Sequence, residues 1–70
     1  MTSHHQPIYD PPAVPLGKIK RFGLFGPKYE ICQVLHPVDD GDWLLAIKLI
    51  ESGETAEYRY SHMVDDPEAQ

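Results

Sequence analysis

The chain has 70 residues and carries six Lys or Arg against eleven Asp or Glu, a formal net charge of −5. That length holds one small domain, and the acidic balance argues against sequence-blind binding to nucleic acid. A single cysteine, Cys32, excludes an internal disulfide and any Cys-rich zinc site, and no apolar run approaches the ~18 residues of a membrane span.

Residues 1–15 hold four prolines (Pro7, Pro11, Pro12, Pro15) and few bulky apolar side chains, so an extended, disordered tail is expected there. Residues 16–67 are expected to form the single small β domain, with 68–70 frayed. Leu16 to Phe22 (LGKIKRF) reads as a first strand, with Lys18 and Lys20 together on a solvated side. Gly23, Gly26 and Pro27 make a loop of the following FGLFGPK. Tyr29 to His36 (YEICQVLH) is rich in β-branched and aromatic residues and reads as the second strand. Strict alternation gives it two mixed faces, Tyr29, Ile31, Gln33, Leu35 and Glu30, Cys32, Val34, His36. That pattern suits a central strand covered on both sides.

Asp40-Gly41 supplies a turn into the stretch DDGDWLLAIKLIESGETAEYRY, which reads as a β-hairpin. A two-residue turn at Ser52-Gly53 sets Glu51 against Glu54 and Lys48 against Glu57. One face then carries Trp43, Leu45, Ile47 and Leu49 with Ala56, Tyr58 and Tyr60. The other carries Leu44, Ala46, Lys48 and Ile50 with Thr55, Glu57 and Arg59. Such sorting is what a half-buried antiparallel sheet requires. Ser61 is expected to cap a short helical turn through His62, Met63 and Val64 that stops before Pro67. The sum is a mainly β fold: a four-stranded antiparallel meander, open or rolled into a small SH3-like barrel, with one short C-terminal helical turn.

Charge is unevenly placed. Residues 1–28 hold four basic side chains against Asp10, a net of +3, whereas residues 29–70 hold two basic against ten acidic, a net of −8. Within the basic part, Lys18, Lys20, Arg21, Phe25 and Lys28 interleave cations with an aromatic ring, the elements of a single-strand nucleic-acid site. The plainer account is a solvated strand face with Phe22 and Phe25 packed inside. Trp43, Tyr58 and Tyr60 are candidate interface anchors, with an ordinary core as the preferred account.

Signals for catalysis are weak. Asp39, Asp40 and Asp42 around Gly41 look like the start of a calcium loop, but no glutamate follows at the required spacing, and turn-forming aspartates explain them. His36 and His62 lie far apart in sequence, and only a fold bringing one beside the other or beside Cys32 makes a site. Cys32, in an apolar strand-like run, is expected to be a small buried thiol. No Gly-rich phosphate loop occurs. No catalytic residue, cofactor or metal is expected.

Two phrases stand together: Gly17-Lys18-Ile19-Lys20-Arg21-Phe22-Gly23 running to Phe25-Gly26-Pro27-Lys28-Tyr29-Glu30, and Glu57-Tyr58-Arg59-Tyr60-Ser61-His62 running to Asp65-Asp66-Pro67-Glu68-Ala69. Over roughly residues 16–69 the chain resembles a group of small bacterial proteins of unknown function. The resemblance implies one compact bacterial domain and carries over no site. The N-terminus lacks a basic-then-apolar leader pattern, so the expected compartment is the cytoplasm. The expected role is a non-enzymatic interaction or regulatory module that docks a protein partner or a second copy of itself, because so short a chain has little core of its own. The alternative is a nucleic-acid-binding module built on the basic-aromatic segment.

Overall fold

A computed structural model describes residues 10–69; most of the Pro-rich tail expected at 1–15 lies outside them. Four strands, β1 (Ile19–Arg21), β2 (Lys28–Pro37), β3 (Trp43–Leu49) and β4 (Thr55–Arg59), form one antiparallel sheet in the order β1-β2-β3-β4, followed by helix α1 (Tyr60–Asp65). The expected meander is what the chain builds. It is open: β1 and β4 are at opposite ends of the sheet and no barrel closes.

The hairpin of β3 and β4 keeps the expected faces in a different register. Lys48 stands opposite Thr55, Ala46 opposite Glu57 and Leu45 opposite Tyr58. The turn is therefore a four-residue loop, Ile50 to Gly53. It is closed by Leu49 N–H donating to the Glu54 carbonyl at 2.7 Å and Gly53 N–H donating to the Leu49 carbonyl at 2.8 Å. Gly53 takes the left-handed conformation (φ +76°) at the end of this loop, where a side chain would be strained. The longer loop also moves Glu51 off Glu54, which pairs with Leu49 instead.

β2 departs most from strict alternation. Its pairing with β3 shifts between Ile31 and Gln33, and again between Val34 and His36. Each shift is a β-bulge that inserts one unpaired residue and flips the phase of those beyond it. Tyr29, Ile31 and Val34 thus share the inner face, leaving Glu30, Gln33 and His36 outside. The strand is covered on one side, not two. The first bulge also turns Cys32 outward, so the thiol expected to be buried is exposed.

The inner face holds the core: Tyr29, Ile31, Leu45, Ile47 and Met63 are buried, with Val14, Phe22, Val34, Leu49, Tyr58 and Tyr60 packed around them. Helix α1 lays Met63 onto this face. Six residues cannot hold a helix by their own hydrogen bonds. Side chains distant in sequence secure both ends. At the N-terminus, Arg59 is the cap residue and its side chain makes no capping bond; the Asp42 carboxylate accepts from Ser61 N–H at 3.0 Å instead. Ser61, expected as the cap, lies inside the helix. At the C-terminus, Lys20 Nζ donates to the Met63 carbonyl at 2.6 Å, and Asp66 N–H donates to the same oxygen at 3.1 Å. A cation at that end also complements the helix dipole.

The chain after α1 returns to the sheet. Arg21 N–H donates to the Pro67 carbonyl at 3.0 Å and Ala69 N–H donates to the Ile19 carbonyl at 2.8 Å, while Glu68 bridges Lys20. Residues 68 and 69, expected to fray, therefore seal the outer edge of β1, and Ala69 is buried.

Asp66 ties four segments together. Its Oδ2 accepts from the hydroxyls of Tyr29 at 2.7 Å and Tyr58 at 2.8 Å, and its Oδ1 accepts from Gly23 N–H at 3.0 Å. Replacing Asp66 with Ala orphans the phenols of buried Tyr29 and half-buried Tyr58, and the expected loss is about 3 kcal/mol of folding stability, since bonds to charged groups contribute roughly 1.5–3 kcal/mol each and part is recovered from water. Tyr29→Phe and Tyr58→Phe should each cost about 1.5 kcal/mol. Urea unfolding of the three variants measures this, and an Asp66→Ala midpoint equal to that of either phenylalanine variant would contradict the shared anchor.

Candidate functional site

The basic-aromatic segment comes out of the fold rearranged. The register Lys20 opposite Tyr29 puts Lys20 on the inner face, where it is 7% exposed and committed to the Met63 carbonyl. The phase of β1 is thus the reverse of the expected one, with Ile19 outside and Lys20 inside. An amphipathic stem explains how a lysine can line a core while its ammonium reaches a helix end. Lys18 stands 3.5 Å from Glu68 in an exposed ion pair, and Arg21 Nη1 donates to the Gly26 carbonyl at 3.3 Å. Lys28 pairs with Arg21 across β1 and β2 and is also engaged. A phosphate track of five residues does not form, because Lys20 is withdrawn from it and Lys18 and Arg21 face partners within the chain.

Phe22 and Phe25 divide between core and surface. Phe22 stacks on Tyr29 with ring centroids 4.4 Å apart and meets Tyr58 edge-on at 5.0 Å. Phe25, expected inside on the plainer reading, is 94% exposed, and its neighbour Leu24 is 75% exposed. The loop that carries them is tightly closed. Phe22 N–H donates to the Pro27 carbonyl at 3.1 Å, Gly23 N–H is held by Asp66, and a Cβ at Gly26 would overlap the Phe22 carbonyl. Two large apolar side chains thus project from a constrained support, with Arg21 and Lys28 at its base.

The hairpin aromatics behave mainly as core. Tyr58 packs against Phe22 and Tyr29 with its hydroxyl on Asp66, and Tyr60 packs beside the buried cluster. Trp43 is half-buried at the far end of β3, outside that cluster. Burial raises both phenol pKa values first, and the Asp66 carboxylate adds to it by hydrogen bond and by charge. Tyr58 is pushed up to about 12, and Tyr29, more deeply placed, is raised further.

A second polar cluster surrounds the β2–β3 turn. Asp42 Oδ2 accepts from the Ser61 hydroxyl at 2.5 Å, and its Oδ1 accepts from Trp43 N–H at 2.9 Å. Arg59 Nη1 reaches Asp40 Oδ2 at 2.8 Å and Asp42 Oδ2 at 3.5 Å. The Ser61 hydroxyl is the main cause that lowers the Asp42 pKa to about 2. Burial opposes it, and the Trp43 and Ser61 amides and Arg59 add to it. Asp40 Oδ1 accepts from Asp42 N–H at 3.2 Å, a turn-forming contact. These aspartates hold the turn and the helix together.

The open depression of about 470 Å³ beside them is lined by Asp40, Gly41, Asp42, Tyr60, Ser61 and Val64. Its serine has no strong base: the carboxylate it bonds is held near a pKa of 2, too acidic to accept a proton at neutral pH. His36 Nδ1 lies against the Pro37 carbonyl at 3.0 Å and His62 against the Tyr58 ring at 5.8 Å. Among the described residues no group of three His, Cys, Asp or Glu side chains is arranged to hold a metal ion, and no helix is long and apolar enough to cross a membrane.

The sequence over residues 7–70 matches a family described as "Family of unknown function (DUF5397)". A Haemophilus influenzae relative described as "Uncharacterized protein" is 47% identical over 57 residues, covering 81% of this chain and 90% of the relative. Both agree with the resemblance read from the two quoted phrases.

The titrations give a signed expectation. Asp42, depressed in the folded state, contributes stability that is complete above its ordinary pKa near 3.8 and is lost as pH falls towards 2. Tyr58, raised in the folded state, contributes stability that is complete below pH 10 and is lost as pH rises through 12. Melting temperature followed against pH should therefore fall at both ends. Asp42→Asn should flatten the acid limb between pH 4 and 2, and an unchanged acid limb in that variant would remove Asp42 from the account.

Proposed function

We propose that this chain, which belongs to DUF5397, a family of unknown function, is a non-enzymatic, cytoplasmic interaction module that docks a protein partner through Leu24 and Phe25. The single observation that carries this reading is their exposure, 75% and 94%, on a loop pinned at both ends. A constrained loop has already lost the conformational freedom that binding would otherwise remove, so its apolar area is more useful to a complex. Aromatic and large aliphatic side chains in such positions are the usual anchors of an interface. The matching surface on the partner is therefore an apolar pocket.

The compartment and the absence of catalysis are part of the same proposal. A free, exposed Cys32 suits a reducing environment. The polar clusters at Asp42 and Asp66 consist of carboxylates bonded to hydroxyls and amides of the chain itself, which suits structure better than turnover.

Leu24→Ser with Phe25→Ser tests the reading. The double variant should melt within about 0.5 kcal/mol of the parent, as for exposed positions generally. Crosslinking in the native bacterium, followed by mass spectrometry, should give the parent a defined partner that the double variant loses. An identical set of crosslinked proteins for both, or a strict monomer with none for either, would sink the proposal.

A further inference from the structure

The two edges of the sheet are treated differently. The β1 edge is sealed by residues 67–69, which bond to Ile19 and Arg21. β4 is the other edge, and among the described residues no strand pairs with its outer side. Hydrogen-bonded and non-bonded pairs alternate along an antiparallel ladder. Leu49 bonds to Glu54 across the hairpin, so Ala56 and Tyr58 face β3 with their backbone groups. Thr55 and Glu57 therefore aim both N–H and C=O away from the sheet, and Arg59 aims its N–H the same way.

Side chains on this edge select what can pair with it. Thr55, Ala56 and Glu57 are exposed; on the outer face Glu57 is the acidic side chain of the edge itself, with exposed Lys48 one strand in, opposite Thr55. Arg59, on the outer face with Glu57, is held by Asp40 and Asp42. A second copy is a poor occupant, because the antiparallel register of greatest overlap sets Glu57 against its own counterpart, and like charges directly opposite are destabilising. On the inner face, small Ala56 beside the Tyr58 ring leaves room for an apolar side chain. We propose that the β4 edge accepts an extended segment of a partner protein, one that alternates basic residues on the outer face with apolar residues on the inner face and adds a fifth strand to the sheet. This surface is distinct from Leu24 and Phe25, so each reading stands or falls on its own variants.

A short peptide alternating lysine and valine is a direct probe, with its glutamate–valine counterpart as control. The lysine peptide should shift the Thr55 and Glu57 amide resonances, protect both amides from exchange, and bind roughly tenfold more tightly than the control. Added salt should weaken it. Glu57→Lys should reverse the preference between the peptides. Glu57→Pro, which removes an outward N–H at a position where an edge strand tolerates proline, should abolish binding of both. If the proline variant fails to fold, Glu57→Lys carries the test alone. No protection by either peptide, equal response to both, or a parent homodimer dissociated by Glu57→Lys would each overturn the proposal.

Discussion

One carboxylate organises this small protein. Asp66 accepts hydrogen bonds from Tyr29 on β2, Tyr58 on β4 and the backbone of Gly23 in the β1–β2 loop. Those two phenols and Phe22 form a single aromatic cluster with centroid separations of 4.4 to 5.3 Å. Tyr29 and Tyr58 are long enough to cross the apolar layer, and each needs an acceptor at its far end. A residue just past α1 supplies that acceptor to both. The position of the helix, the path of the chain behind it and the anchoring of the Leu24–Phe25 loop then follow from one side chain.

Much of the fold was legible in the sequence because β3 and β4 obey a clean period of two. Leu45, Ile47 and Tyr58 sort to one side, and no bulge interrupts them. The errors arose where backbone irregularity overrode side-chain alternation. Residue types alone gave β2 two mixed faces, and two bulges resolve these into an apolar side and a polar side. The hairpin register was missed by one residue on each strand because the glycine of a turn does not declare whether it occupies the middle or the end. The shift preserved the faces, so the core survived the error.

Lys20 was missed for a different reason. Charge patterning treats a lysine in a strand as solvated, whereas a short helix ending over the sheet presents an open carbonyl that an ammonium can reach. That demand comes from Met63, far along the chain, and no local pattern announces it. The candidate site was correspondingly half legible. Phe25 was expected in the core on the preferred reading and on the surface only in the nucleic-acid alternative, and the structure leaves it at the surface. The cations grouped with it are turned towards Met63, Glu68 and Gly26. Among the described residues every buried side-chain nitrogen or oxygen has a partner, so these commitments cost the core nothing in unmet bonds.

The closure of the β1 edge by residues 67–69 has a consequence for folding order. β1 has three residues and is held from two sides, by its neighbour β2 and by contacts made more than forty residues later, among them Lys20 with Met63. During synthesis the β2–β3–β4 meander can pair as each strand emerges, because its contacts are between neighbours in sequence. β1 gains its outer partner only once residue 69 has left the ribosome. Until then the outer edge of β1 is open and the aromatic face lacks the cover of Met63 and Asp66, which leaves apolar surface exposed. In this chain contacts from residues 63–69 complete a strand that is made at residues 19–21.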